Sequence, residues 1–142
     1  CLLHDVSWRA HPDFRAEVCF DYATRANLGG LSHKERVFLG LALLFRYGNK
    51  SNGAQFKPML KLLSEGDIKE AEVIGKAMRL GAMLWANPDN ETAMLAWNPK
   101  KKLLALTLTA EAEPLFGEVA EVRFHSLAKA LEATTQLDIK LA

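Results

Sequence analysis

The sequence predicts an α+β protein, with a helical bundle over residues 1–88 and a small strand-strand-helix-strand domain over residues 89–142. Two observations carry this. Apolar residues recur every three or four positions up to about residue 86 and every second position in much of the remaining chain, which are the periods of helix and strand. The helical patterns come first and the strand patterns later, a segregated order that belongs to α+β rather than α/β architecture.

The first element is incomplete. Cys1 to Val6 read as the last turn of a helix with no cap ahead of it, and the chain opens on Cys1 rather than Met, so the expectation is a piece of a longer protein. Pro12 suits a first helical turn, and Phe14, Val18, Tyr22 and Ala26, with Cys19 and Ala23 beside them, predict one amphipathic helix ending at Asn27-Leu28-Gly29-Gly30. Ser32-His33-Lys34-Glu35 has the form of a capping box: a hydroxyl for the exposed amides and a carboxylate that reaches back. It opens Val37 to Phe45, apolar on nearly every side and therefore expected as the buried central helix. A loop rich in Asn, Ser and Gly spans residues 48–53, and Phe56, Met59, Leu60 and Leu63 predict a short helix after it. Asp67 to Glu70 is read as the cap of a further helix with Ala71, Ile74, Met78, Gly81 and Trp85 as its buried stripe, stopped at Asn87-Pro88-Asp89-Asn90.

Beyond that stop, Thr92 to Trp97 and Lys102 to Thr109 are β-prone runs joined by Asn98-Pro99-Lys100-Lys101, and Leu104, Leu106 and Leu108 alternate against Ala105, Thr107 and Thr109. A hairpin is expected. Phe116, Ala120, Phe124, Leu127 and Leu131 mark a final helix, and Gln136 to Leu141 alternates as a last strand on a half-buried sheet.

Bulk chemistry removes several functions. Of the 142 residues, 49% are hydrophobic and 25% charged, enough for one sizeable core or two small adjoining ones and too apolar for a disordered chain. Eighteen Lys and Arg against 17 Asp and Glu leave a formal charge of +1, which demands neither nucleic acid nor a membrane surface. Cys1 and Cys19 are too few for a secreted disulfide framework and lack zinc spacing, so a reducing cytoplasm is expected. The longest apolar run, Val37 to Phe45, falls far short of the roughly 20 residues of a membrane span.

The first candidate for chemistry is His4-Asp5, whose imidazole and carboxylate suit a divalent metal in a phosphohydrolase. A hard cation needs several converging ligands. His11, His33 and His125 show no ligand spacing with the pair, so a structural hydrogen bond, to backbone or to Arg9, stands against the metal reading. Polyanion-binding candidates are Arg9, Arg15, Arg46 and Lys50 near the ends of early helices, and Lys100, Lys101 and Lys102 beside the hairpin turn. Arginine forks and lysine ammonium groups both suit phosphate oxygens. Each set has an ordinary alternative: ion pairs with Asp13, Glu17 or Asp21 for the arginines, and a soluble, edge-protecting hairpin tip for the lysines. Trp8, Trp85 and Trp97 follow apolar periodicity and are expected in the core, as is an inert Cys19 thiol. Gly29-Gly30 lacks the remainder of a phosphate loop and is expected to end a helix.

Leu2-Leu3-His4-Asp5-Val6, Leu28-Gly29-Gly30-Leu31-Ser32 with Glu35, Arg46-Tyr47-Gly48-Asn49-Lys50 and Ala77-Met78-Arg79-Leu80 together resemble the C-terminal region of the exopolyphosphatase and guanosine pentaphosphate phosphohydrolase family. The resemblance covers residues 1 to about 86 and, more weakly, the strand and helix tail. It implies an HD-like helical domain followed by a small α+β domain, with phosphoanhydride hydrolysis and its magnesium ion on N-terminal domains absent from this sequence. This region would then be non-catalytic and would serve homodimer assembly and the binding or guiding of polyphosphate. Two alternatives stay open, a metal-dependent HD-type phosphohydrolase centred on His4 and Asp5 and a purely architectural dimerisation module. The departures are specific: Arg15 and Glu17 stand where the family has further histidines, Arg46 to Lys50 has lost one histidine and one arginine, and Ala82 and Trp85 stand where HD enzymes carry a metal-binding aspartate.

Overall fold

The structure, a computed structural model, describes residue 3 and residues 5–48, 53–84 and 92–140. Among them are five α-helices and one three-stranded mixed sheet, so the α+β class holds. The chain divides into two compact units, residues 1–78 and 79–142.

In the first unit the segment before the helices is a chain of tight turns, closed by Val6 N–H to Leu3 O at 3.2 Å, Trp8 to Asp5 at 3.1 Å and Ala10 to Ser7 at 2.9 Å. One 3₁₀ turn, Pro12–Phe14, leads into helix α1, Arg15–Arg25. Its buried face differs from the predicted one. Cys19 and Ala23 turn inward as expected, but together with Ala16 and Phe20 rather than with Phe14, Val18 and Tyr22, which are 58%, 41% and 47% exposed. Helix α2, His33–Arg46, explains the choice: the bare Cα of its Gly40 admits the Phe20 ring, since a Cβ there would lie 3.1 Å from Phe20 Cδ2.

Helix α2 starts where the capping box predicts, with Ser32 Oγ accepting from Glu35 N–H and Glu35 Oε2 accepting from Ser32 N–H. Val37 and Gly40 to Leu44 are buried, so this is the central helix of its unit. It stops at Gly48, whose φ of +85° is open to glycine at little cost and whose N–H reaches Phe45 O. Helix α3 is a single turn, Lys57–Leu60, and seats Phe56 edge-on against Phe20 with centroids 4.8 Å apart.

Helix α4, Glu65–Leu84, begins two residues before the predicted cap. Ser64 is the cap, its hydroxyl accepting from Asp67 N–H while Asp67 Oδ2 accepts from the Ser64 N–H and O–H. Asp67 is therefore the reaching-back carboxylate of the same exchange rather than the cap expected for it. Ala71 is buried as expected, but Ile74 is 38% exposed and Gly75 takes the inward place. A Cβ on Gly75 would overlap the backbone of α2 at Ala42 and Arg46, so here two helices touch main chain to main chain. The predicted stop at residues 87–90, and Trp85, lie outside the described residues.

The second unit carries the sheet. Strands β1, Ala93–Asn98, and β2, Leu103–Thr109, pair antiparallel as the predicted hairpin, and β3, Thr134–Lys140, lies parallel to β2 on its other side. A parallel neighbour requires a crossover, and helix α5, Glu118–Ala130, lies in that connection. Leu104, Leu106 and Leu108 are at most 1% exposed, and Ala120, Phe124 and Leu127 of α5 are buried with them. Complete burial of each such Leu or Phe contributes about 1.5–3 kcal/mol. The last strand is less buried than predicted, with Leu137 43% and Ile139 40% exposed, because β3 has a neighbour on one side only. On the opposite sheet face one polar atom is out of place: Thr109 Oγ1 is buried without a hydrogen-bond partner among the described residues. An orphaned hydroxyl of this kind costs about 1–3 kcal/mol.

Candidate functional site

The basic side chains singled out by the sequence divide by what holds them. Arg15, the first residue of α1, points back over the turn segment, donating from Nε to Ala10 O at 3.0 Å and from Nη2 to Trp8 O at 2.9 Å. It braces the turns to the helix. Arg9 is exposed, and its guanidinium carbon stands 4.8 Å from the centre of the Trp8 ring. Trp8 is itself 58% exposed, which corrects its expected place in the core; it forms a flat apolar platform that fixes the Arg9 fork in solvent. Arg46, in the last turn of α2, is half-buried, donates from Nη1 to Met78 O at 3.3 Å and lies 5.4 Å from the Tyr47 ring centre. Lys50 and His4 lie outside the described residues.

The acidic residues expected as partners go elsewhere. Asp21 meets Arg25 at 3.5 Å, Asp13 meets His11 at 3.6 Å, and Glu17 accepts from Gln55 at 3.3 Å. Arg15 thus takes two backbone carbonyls in place of the carboxylates suggested for it, a contact that no charge pattern announces.

In the second unit the lysines sit in the hairpin turn, where Asn98 Oδ1 accepts from Lys101 N–H at 3.1 Å. Lys100 and Lys101 are exposed, with no ion pair among the described residues. Lys102 differs: its backbone is left-handed at φ +47°, its carbonyl accepts from Thr134 N–H at 2.8 Å, and its Nζ lies 3.8 Å from Glu132. Glu132 is left-handed too, at φ +53°, so two strained turns meet where β2 and β3 begin. Trp97 is 40% exposed on β1, a second correction to the expected core set.

Asp5 is exposed, and among the described residues no three His, Cys, Asp or Glu side chains converge to hold a metal ion. His33 Nδ1 lies 2.9 Å from Arg36 Nη2, and His125 lies 3.7 Å from Glu121. Cys19 is fully buried, with its sulfur 3.0 Å from Ser7 Oγ. No helix among the described residues is long and apolar enough to cross a membrane.

One strong electrostatic contact has no counterpart among the sequence expectations. Lys34 Nζ, in the first turn of α2, lies 2.8 Å from Asp67 Oδ2 in the first turn of α4. With Ser64 N–H and O–H also donating, the Lys34 ammonium holds the Asp67 carboxyl down at about 2 from its ordinary 3.8. Glu35 is lowered likewise by its hydrogen bonds from Ser32. Both carboxylates sit at helix starts, where the macrodipole also favours negative charge. The signal lies in two Ser-x-x-acid patterns, at 32–35 and 64–67, of which the second is hidden when Asp67 is itself taken for the cap.

Compared with known proteins, residues 1–137 match the family described as exopolyphosphatase, C-terminal. No curated protein matches the sequence.

Proposed function

The chain belongs to the exopolyphosphatase C-terminal family, and from that premise we propose that it is a non-catalytic, HD-like region that assists dimer assembly and binds or guides a polyphosphate chain. Phosphoanhydride hydrolysis, with its magnesium ion, is assigned to catalytic domains outside this sequence. The observation that carries the anion part is the pairing of Arg9 with Trp8: a guanidinium stacked on an exposed ring is already oriented, so little side-chain freedom is lost when it forks a phosphate. Lys100 and Lys101 supply exposed point charges at the hairpin turn, and Arg46 and Lys50 remain in the proposed set. Arg15 and Lys102 contribute through the backbone they hold. The outward Phe14, Val18 and Tyr22 support the assembly part, since three exposed apolar side chains one helical turn apart form a stripe that a partner surface would cover.

The test is retention of polyphosphate by the 142-residue chain across a salt series. Binding that falls steeply as salt rises, and that weakens in Arg9→Ala and in the Lys100→Ala/Lys101→Ala double variant, is expected. No retention at low salt, or retention indifferent to salt, would discard the guiding role. Sedimentation of wild type and Val18→Lys separates the assembly role. A dimer that Val18→Lys converts to monomer is expected, and a wild-type monomer at every concentration would remove it.

A further inference from the structure

Apart from the arginines, the hairpin lysines and the α1 stripe, the second unit carries an open sheet edge. Thr134 lies opposite Leu103 of β2, and its N–H donates to Lys102 O at 2.8 Å. In a parallel ladder this turns the backbone of Thr134, Gln136, Asp138 and Lys140 toward β2. The N–H and C=O of Thr135, Leu137 and Ile139 are left pointing out of the sheet, where β3 has no neighbour. Every residue of β3 except Thr135 is exposed. The opposite edge is less open, since Thr92, just before β1, donates to Leu84 O at 2.9 Å and Ala93 is 7% exposed.

Side chains alternate with the same period. Thr135, Leu137 and Ile139 lie opposite Leu104, Leu106 and Leu108 and so share the face that α5 packs on, whereas Gln136, Asp138 and Lys140 rise from the other. On that second face Gln136 Nε2 donates to Asp138 Oδ2 at 2.8 Å. Charges on an edge strand ordinarily guard it against pairing. Here they are opposite in sign and two residues apart, so they reject some registers and admit others. A second β3 laid parallel and in register sets Asp138 on Asp138 and Lys140 on Lys140, and antiparallel pairing centred on Asp138 also opposes two carboxylates. Antiparallel pairing centred on Leu137 avoids both. It sets Leu137 on its own mate, Thr135 opposite Ile139 and the Gln136 amide opposite the Asp138 carboxylate, and it gives each outward N–H and C=O of the strand a partner.

We propose that β3 pairs antiparallel with β3 of a second copy of this chain, about a twofold axis at Leu137, joining two three-stranded sheets edge to edge. The occupant is a second copy because the strand is complementary to itself about that residue, in apolar contact on one face and in polar contact on the other. One strand from each copy is a small interface beside the roughly 1,200–2,000 Å² of a stable one, so the contact is reversible and is read by trapping. It uses neither the α1 stripe nor the anion-binding residues, so it stands or falls apart from both.

The test compares Leu137→Cys with Ile139→Cys under mild oxidation, each in a Cys1→Ser, Val18→Lys background in which the α1 stripe is blocked. The two positions share a face and are 43% and 40% exposed, so random collision links them equally. In the proposed register the Cα atoms at position 137 stand about 5.5 Å apart, within disulfide reach, whereas those at 139 are displaced about 13 Å along the strands. Disulfide-linked dimer is expected to form at least about tenfold faster from Leu137→Cys. Equal rates, or faster linking at 139, would overturn the proposal. Hydrogen exchange on the wild-type chain gives a second reading that needs no substitution. The amides of Thr135, Leu137 and Ile139 are expected to slow as protein concentration rises, while those of Gln136 and Asp138, already bonded to β2, stay constant. Exchange at Leu137 indifferent to concentration would overturn it as well.

Discussion

Replacing Gly75 by alanine tests the helix contact on which the first unit is built. In an ordinary helix interior the change would stabilise by about 0.8–1 kcal/mol through propensity alone. At Gly75 the added Cβ would sit 2.5 Å from Phe45 Cβ and 3.0 Å from Arg46 N, against ordinary contacts of 3.4–4 Å, and it would also strike the Ala42 carbonyl. Main chain cannot rotate away as a side chain does, so α4 and α2 must part by about 1 Å, an overpacking of a kind that costs about 1–3 kcal/mol. The loss spreads over Ala42, Leu44 and Ala71, which share that core. Set against the propensity gain, the net destabilisation expected is about 0–2 kcal/mol, a fall of up to about 16 °C in melting temperature for a unit of this size. Gly66→Ala on the same helix is the control: its nearest neighbour would be Ser64 Oγ at 3.7 Å, so it should raise the melting temperature slightly. Thermal melts followed by circular dichroism on both variants decide the matter. If Gly75→Ala melts at or above the temperature of Gly66→Ala, the main-chain contact is wrong.

Three other contacts give outcomes that can be measured as directly. Asp67 has a folded-state pKa depressed to about 2, so its contribution is complete above the ordinary value of 3.8 and is lost as pH falls through about 2; Asp67→Asn should therefore lower the melting temperature at pH 7, with the difference shrinking between pH 4 and 2. Lys102→Gly gives up an exposed ion pair but relieves a left-handed backbone, so urea melts should show it unchanged or up to about 1 kcal/mol more stable. A clear loss would mean that the pair with Glu132 matters more than the strain. In a Cys1→Ser background, the buried Cys19 thiol should resist a thiol reagent until denaturant is added, and rapid labelling of the folded protein would contradict its burial.

Periodicity made much of this fold legible. The two-residue alternation around Leu104 to Leu108 and the dense apolar run of α2 each admit one arrangement, and the capping box at Ser32 fixed a helix start to the residue. The face of α1 was ambiguous for a physical reason. Its sequence offers two interleaved stripes, Phe14-Val18-Tyr22 and Ala16-Cys19-Phe20-Ala23, and side-chain size favours the first. The choice is made by Gly40, twenty residues from Phe20, whose missing side chain leaves room for the ring. The basic residues show the same division. A string gives their charge, but that Arg15 is consumed by two carbonyls and Arg9 is held on Trp8 depends on the path of the turns at residues 5–10, which have no repeat to read.

The place of β3 has a consequence for how the second unit comes to be folded. The hairpin of β1 and β2 is closed by neighbouring residues and can form within microseconds of its own sequence being free, whereas β3 pairs with β2 only after the chain has passed through all of α5. For that interval β2 keeps one side of its backbone unpaired beside a row of bare leucines, which is the edge most prone to capture another unfolded chain. Refolding of this unit should therefore lose yield as protein concentration rises, and the vulnerable interval ends when the ladder from Thr134 to Lys140 closes.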